Sequence, residues 1–211
     1  MARRSLLDAL CPPLCVSCRR PGGAEALCDR CVVELNSEMP VWGDPPPGLA
    51  DCIAAFRHEG PARGLLHAFK FGRMPSLAPV LAGYMTENIP ATQSFTVVPV
   101  PPAPFRRLIR GYDPATLLAS EVVASLPGCR LDPDSIVRSG FGRQRGGGRD
   151  QRIGSPPDIR PRRGPEPSRP AGPVLLVDDV ITTGATVTAC ARVLRSLGAG
   201  PVTALGFTRR V

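Results

Sequence analysis

Hydrophobic positions along this chain follow two rhythms, short unbroken runs and helical spacing. Residues 52–56 form a short apolar run that predicts a strand. Ala62, Leu65, Leu66 and Phe69 then recur at helical spacing and end near Lys70 and Gly72. Leu77, Val80, Leu81 and Tyr84 mark a second helix, stopped before Pro90. Phe95–Val100 reads as a buried strand running into Pro101-Pro102. Asp113 and Pro114 suit the N-cap and first turn of a helix carrying Leu117, Leu118, Val122 and Leu126 as far as Pro127-Gly128. Val174–Val177 is a further buried run, followed by a helix over 185–197 that buries Val187, Cys190, Val193, Leu194 and Leu197 and ends at Gly198. Pro201–Phe207 supplies the last strand. Strands alternating with helices predict an α/β fold, a mostly parallel sheet under helices.

The run at 174–177 ends in two adjacent acids, Asp178 and Asp179, and then in Thr182, Thr183, Gly184, Ala185 and Thr186. Neighbouring carboxylates at a buried strand end are costly unless something satisfies them. The turn offers hydroxyl donors and backbone N–H groups, and the helix behind it points its positive end at the same place, which suits a phosphate. Acids for sugar hydroxyls beside a phosphate cradle point to a phosphorylated sugar. The Gly-Lys-Ser/Thr of a P-loop is absent.

This stretch resembles the phosphoribosyl pyrophosphate (PRPP) signature of type I phosphoribosyltransferases. The resemblance implies that Asp178 and Asp179 address the ribose hydroxyls as the catalytic acids and that Thr182–Thr186 wrap the 5′-phosphate. It also implies Mg²⁺ bound with the diphosphate.

Cys15-Val-Ser-Cys18 and Cys28-Asp-Arg-Cys31 are paired CxxC knuckles. Four thiolates at this spacing predict a structural Zn²⁺ site, with an iron–sulfur cluster as the rival. Residues 1–10 are too short and broken for a signal h-region, so disulfides are disfavoured and a reducing, cytoplasmic location is expected. Cys11 is a spare candidate ligand, and Cys190 reads as core.

With the knuckles ahead of the PRPP motif, the whole chain resembles the ComF family, the competence-associated phosphoribosyltransferase-like group that includes GntX-type proteins. The likeness rests on the CxxC pairs, Ala68–Gly72, Val97–Pro101, Arg110-Gly111-Tyr112, a segment from Gln144 to Arg152 and the 174–186 signature. It implies that Val100-Pro101 begins the pyrophosphate loop. Arg106, Arg107 and Arg110 beyond it are either bidentate donors to a diphosphate or basic residues on a solvated turn. The expected organisation is a zinc module over 1–40, a Pro-rich linker over 41–50 and a phosphoribosyltransferase-like domain over 51–211. Within that domain, 138–172 is an Arg/Gly/Pro-rich mobile loop.

The net charge of +8 comes almost wholly from arginine, Lys70 being the only lysine. A basic balance favours PRPP, pyrophosphate or nucleic acid as partners. Residues 138–170 hold nine arginines against three acids, either a solvated linker or a loop that folds over a polyanion. No stretch approaches the length of a spanning helix, so no membrane insertion is expected. His58 and His67 lack partners at a telling spacing and read as surface residues.

The chain departs from the ComF pattern in its outer loops. Asp113-Pro114 stands where the family continues with Asn-Gln; Gln144 and Arg152 keep their spacing while their neighbours drift, with Arg138-Ser-Gly-Phe-Gly-Arg before Gln144 and Ser155 after Arg152. Three functions fit. One is phosphoribosyl transfer to an unidentified acceptor. Another is a non-catalytic PRPP-binding accessory factor in DNA uptake that binds single-stranded DNA. The third is a PRPP sensor whose zinc module docks a protein partner.

Overall fold

The computed structural model describes residues 13–21, 26–103, 111–139, 157–163 and 169–210. Cys11, Arg106, Arg107, Arg110, Gln144, Arg152 and Ser155 lie outside the described residues. The chain runs α1 (Asp29–Ser37), β1 (Val41–Trp42), β2 (Asp51–Arg57), α2 (Gly60–Phe71), a single 3₁₀ turn at Pro75–Leu77 and α3 (Ala78–Thr86). It continues through β3 (Thr96–Pro99), α4 (Pro114–Ser125), β4 (Arg130–Leu131), β5 (Ile136–Arg138) and β6 (Ile159–Pro161). The last elements are β7 (Val174–Ile181), α5 (Ala185–Ser196) and β8 (Val202–Arg209).

Six strands form one sheet in the order β1-β2-β8-β7-β3-β4, all parallel except β1. The expected α/β architecture is therefore present. The period-two pleat divides the core. Leu175, Val177, Leu205 and Phe207 face one layer with α2, α3 and α4, whereas Val174, Leu176, Val202 and Ala204 face another with α5. Each buried Val, Leu or Phe side chain contributes about 1.5–3 kcal/mol of transfer free energy, so both faces need their helices.

Three local expectations change. The strand expected over Val174–Val177 runs on to Ile181 and takes both acids into β7. Its pairing with β3 stops at Pro99↔Val177, one further bond joining Val100 N–H to the Val177 carbonyl. Pro101 and Pro102 have no N–H to donate, so β7 pairs only with β8 beyond that point. The Arg/Gly/Pro-rich stretch expected as a mobile loop starts at the end of β5 and contains β6; the two strands pair antiparallel and bury Ile136 and Ile159 beside α5. In the Pro-rich 41–50 stretch, Val41–Trp42 joins the sheet edge as β1.

Asp113 does occupy the N-cap of α4, but its side chain does not cap the backbone; its Oδ2 accepts from the Thr116 hydroxyl at 2.6 Å. The cysteine segment packs into the α2–α4 core layer through Cys15, Leu27, Cys31 and Leu35. Ser17 donates to the Pro61 carbonyl at 3.0 Å, and a Cβ on Gly64 would lie 2.3 Å from the Ser17 Oγ. Glycine at 64 is what lets the segment sit against α2.

Candidate functional site: an acidic strand end in a basic cleft

Because β2, β8, β7 and β3 run parallel, their C-terminal ends share one edge, where ligands bind in open α/β sheets. A cleft of about 550 Å³ opens there. Where β3 leaves the sheet, Asp178 and Asp179 line this cleft, together with Val100 and Pro101 on one side and Thr182 and Thr186 on another. The acids, the proline loop and the hydroxyl turn converge on this one cleft. Thr183, Gly184 and Ala185 complete the turn behind Thr182 rather than lining the cleft.

Gly184 is left-handed, with φ 75°, and a Cβ there would lie 2.5 Å from the Pro46 side chain. The site therefore needs glycine for both conformation and space. Ala185 N–H reaches the Thr183 hydroxyl at 3.4 Å, and α5 begins immediately, so its N-terminal amides lie behind the turn.

The acids are held differently. Asp178 accepts a hydrogen bond from the Asp179 N–H at 2.8 Å. Burial, and next the Asp179 charge, push its carboxyl well above the usual range. Asp179 is paired with Lys70, Nζ to Oδ1 at 2.7 Å, with both side chains only 14% exposed. Lys70 lies in the last turn of α2, which Leu65, Leu66 and Phe69 anchor in the core. The Tyr112 hydroxyl donates to the Phe69 carbonyl, and their rings lie 5.7 Å apart.

Lys70 carries no functional spacing in the sequence; its being the only lysine in an arginine-rich chain was the available signal. His58 also differs from expectation. It is partly buried in the cleft, its Nδ1 2.9 Å from the Thr208 hydroxyl. Burial, and then the nearby Arg210, Lys70 and Arg63, depress its pKa. No sequence spacing marks it, because Thr208 and Arg210 come from β8 and its end. His67 is exposed, as expected, and stacks on Phe71 at 5.0 Å. Arg138 of β5 reaches the same cleft.

Away from the cleft, the Sγ atoms of Cys15, Cys18, Cys28 and Cys31 lie within 4.8 Å of one another. Cys15 and Cys31 are separated by 3.8 Å, and Cys18 and Cys28 by 3.6 Å. Zn–S bonds of about 2.3 Å in a tetrahedron place sulfurs about 3.8 Å apart, so the cluster fits a structural zinc site. Burial raises the Cys15 thiol, but hydrogen bonds from the Cys18, Cys28 and Ser17 backbone outweigh it and bring the pKa to about 6. Burial and the neighbouring thiols push Cys31 up. A cluster that already favours one thiolate suits a cation. Cys190 is buried and pushed up to about 12, chiefly by burial, in keeping with a core role.

Among the described residues, no helix is long and apolar enough to cross a membrane. No family model matches the chain. It is similar to proteins named DNA utilization protein YhgH. The relative from Salmonella typhi is 27% identical over 202 residues, covering 90% of this chain and 81% of the relative. The relative from Salmonella typhimurium is 27% identical over 222 residues, covering 90% and 94%. The chain is thus similar over most of its length to proteins named for DNA utilization.

Proposed function

We propose that the cleft binds PRPP and that the chain is a ComF-type, phosphoribosyltransferase-like protein. The observation that carries this reading is the meeting of Asp178, Asp179, Lys70, Pro101, Thr182 and Thr186 in one cleft at the C-terminal sheet edge. In this reading, Asp178 and Asp179 accept hydrogen bonds from the ribose hydroxyls. The 182–186 turn and the start of α5 receive the 5′-phosphate. The Val100–Pro102 loop backs the diphosphate, with Lys70 as the nearest ammonium. The carboxylates are oxygen donors of the kind Mg²⁺ takes, and the ion would supply charge neutralisation at the diphosphate. In transfer, an acceptor nitrogen bonds to C1′ as the C1′–O bond breaks and pyrophosphate leaves, the nitrogen's proton passing to solvent. The residues contribute by positioning and by stabilising the developing charge.

Calorimetric titration with PRPP and Mg²⁺ tests the reading. The wild type should bind, and the Asp178→Ala, Asp179→Ala variant should not. No heat with the wild type would reject it. An acceptor screen that finds no product with PRPP bound would leave a non-catalytic PRPP-binding factor.

A second reading, handling of single-stranded DNA, is supported by the names of the relatives and by the cations around the cleft. It predicts binding at low salt that weakens steeply as salt rises.

A further inference from the structure

A second pocket, of about 340 Å³, continues the cleft along the sheet edge. Arg57, His58, Glu59, Arg63, Arg209 and Arg210 line it. His58, Arg63 and Arg210 also line the main cleft, so the two form one track. Its floor is made by the C-terminal ends of β2 and β8. The loop expected to back a diphosphate follows β3, on the opposite side of β7. Two strand spacings of about 4.8 Å each put the far end of this pocket roughly 10 Å from the acids.

Cations outnumber acids in this pocket, although Glu34, Glu38 and Glu59 line a neighbouring pocket together with Arg57. Among the described residues, none of Arg57, Arg63, Arg209 or Arg210 makes a salt bridge, and Glu59 is the only acid lining the pocket. Arg209 donates from Nη2 to the Asp44 carbonyl at 3.3 Å, while its Nη1 is buried with no hydrogen-bond partner. Four guanidinium groups and a histidine lining one pocket with a single carboxylate suit an anion, and planar guanidinium donors match phosphate oxygens.

We infer that this pocket is a second phosphate subsite, which holds a phosphodiester of a single-stranded nucleic acid whose neighbouring nucleotide enters the main cleft. The inference rests on the nucleic-acid reading above and adds the residues that grip the strand. If transfer from PRPP occurs, its acceptor then carries phosphate, unlike a free base. Phosphate contacts hold the strand without reading its sequence.

The test is fluorescence anisotropy of a labelled oligothymidylate of about twelve nucleotides, titrated with the zinc-loaded full chain at several salt concentrations. Arg57 is exposed, lies outside the main cleft and is the first variant, Arg57→Glu. Binding should weaken about tenfold at low salt, and the slope of log K against log salt should flatten by about 0.7 for the lost phosphate contact. Arg57→Glu with Arg209→Gln should flatten it by about 1.4. Calorimetry with PRPP is run on the same variants and should give wild-type affinity.

An unchanged oligonucleotide affinity, or a wild type that binds no strand at low salt, would overturn the inference. Parallel loss of PRPP affinity in Arg57→Glu would also overturn it, because the pocket would then serve the sugar's own phosphates. Failure of PRPP to bind the wild type rejects the PRPP proposal alone, since the anisotropy arm is read without PRPP.

Discussion

The cysteine cluster and the acidic end of β7 both crowd like groups into a small space, yet they are held in opposite ways. The four thiols are brought together by turns within one short stretch, with Cys15 N–H bonded to the Arg20 carbonyl and Val16 N–H to the Ala26 carbonyl. The two carboxylates are adjacent in sequence, but Asp179 is neutralised by Lys70 from a distant helix. A local cluster can wait for an ion from solution. A strand-end cluster needs a counter-charge that the fold itself delivers.

Metal removal should separate the two most strongly. Zinc binding by such modules is worth about 10 kcal/mol or more and is itself folding free energy. The Cys28→Ser, Cys31→Ser variant should bind no zinc, against one ion per chain in the wild type by elemental analysis. Its segment through Leu35 should become protease-sensitive while the sheet keeps its circular dichroism. Loss of the sheet as well would show that the two regions fold as one unit.

Removing the fold's own counter-charge comes next. Lys70→Met strands Asp179 beside Asp178 in a mostly buried place and should cost about 3 kcal/mol in denaturant unfolding. Adding Asp179→Asn should recover most of that. A double-mutant cycle with no coupling would mean that the pair contributes nothing to stability.

The junction between the regions gives a smaller effect. In Gly64→Ala, the new methyl would press on Ser17, whose Cα would lie 2.8 Å away. Stability should fall by about 1–3 kcal/mol with zinc still bound, as thermal unfolding alongside metal analysis would show.

The smallest effect concerns pH. The Asp178 carboxyl is raised in the folded chain, so it binds its proton more tightly folded than unfolded. Its stabilising contribution is full below the unfolded pKa of about 3.9 and is lost as pH rises toward the folded value. Asp178→Asn should therefore match the wild type near pH 3 and melt a few degrees higher at pH 7. A gap that narrows with rising pH would contradict the burial argument.

These regions also differ in how far they could be read from residues alone. The CxxC spacing, the run of Val174–Val177 into two acids and the Thr-Thr-Gly-Ala-Thr turn are local, and local signals survive without knowledge of the fold. They established the α/β pattern, the thiol cluster and the acids-plus-hydroxyls chemistry. The extension of β7 to Ile181 was not legible, because Asp178 and Asp179 do not look like strand residues; pairing with β8 holds them there. His58 read as surface for the same reason. Its partner Thr208 lies on a strand adjacent to β2 only in space.

By itself, then, the sequence determined which short segments could carry chemistry, since spacing within a turn or a strand end is set by neighbours along the chain. The tertiary structure decided what meets them. The order β2-β8-β7-β3 interleaves strands far apart in sequence, and it brings Lys70 to Asp179, His58 to Thr208, and Arg57 and Arg63 beside Arg209 and Arg210. Pro101 and Pro102 end the pairing of β3 and open β7 on that side, an effect that depends on which strand lies beside them. Charge balance at a site depends on distance in space, and strand order fixes that distance.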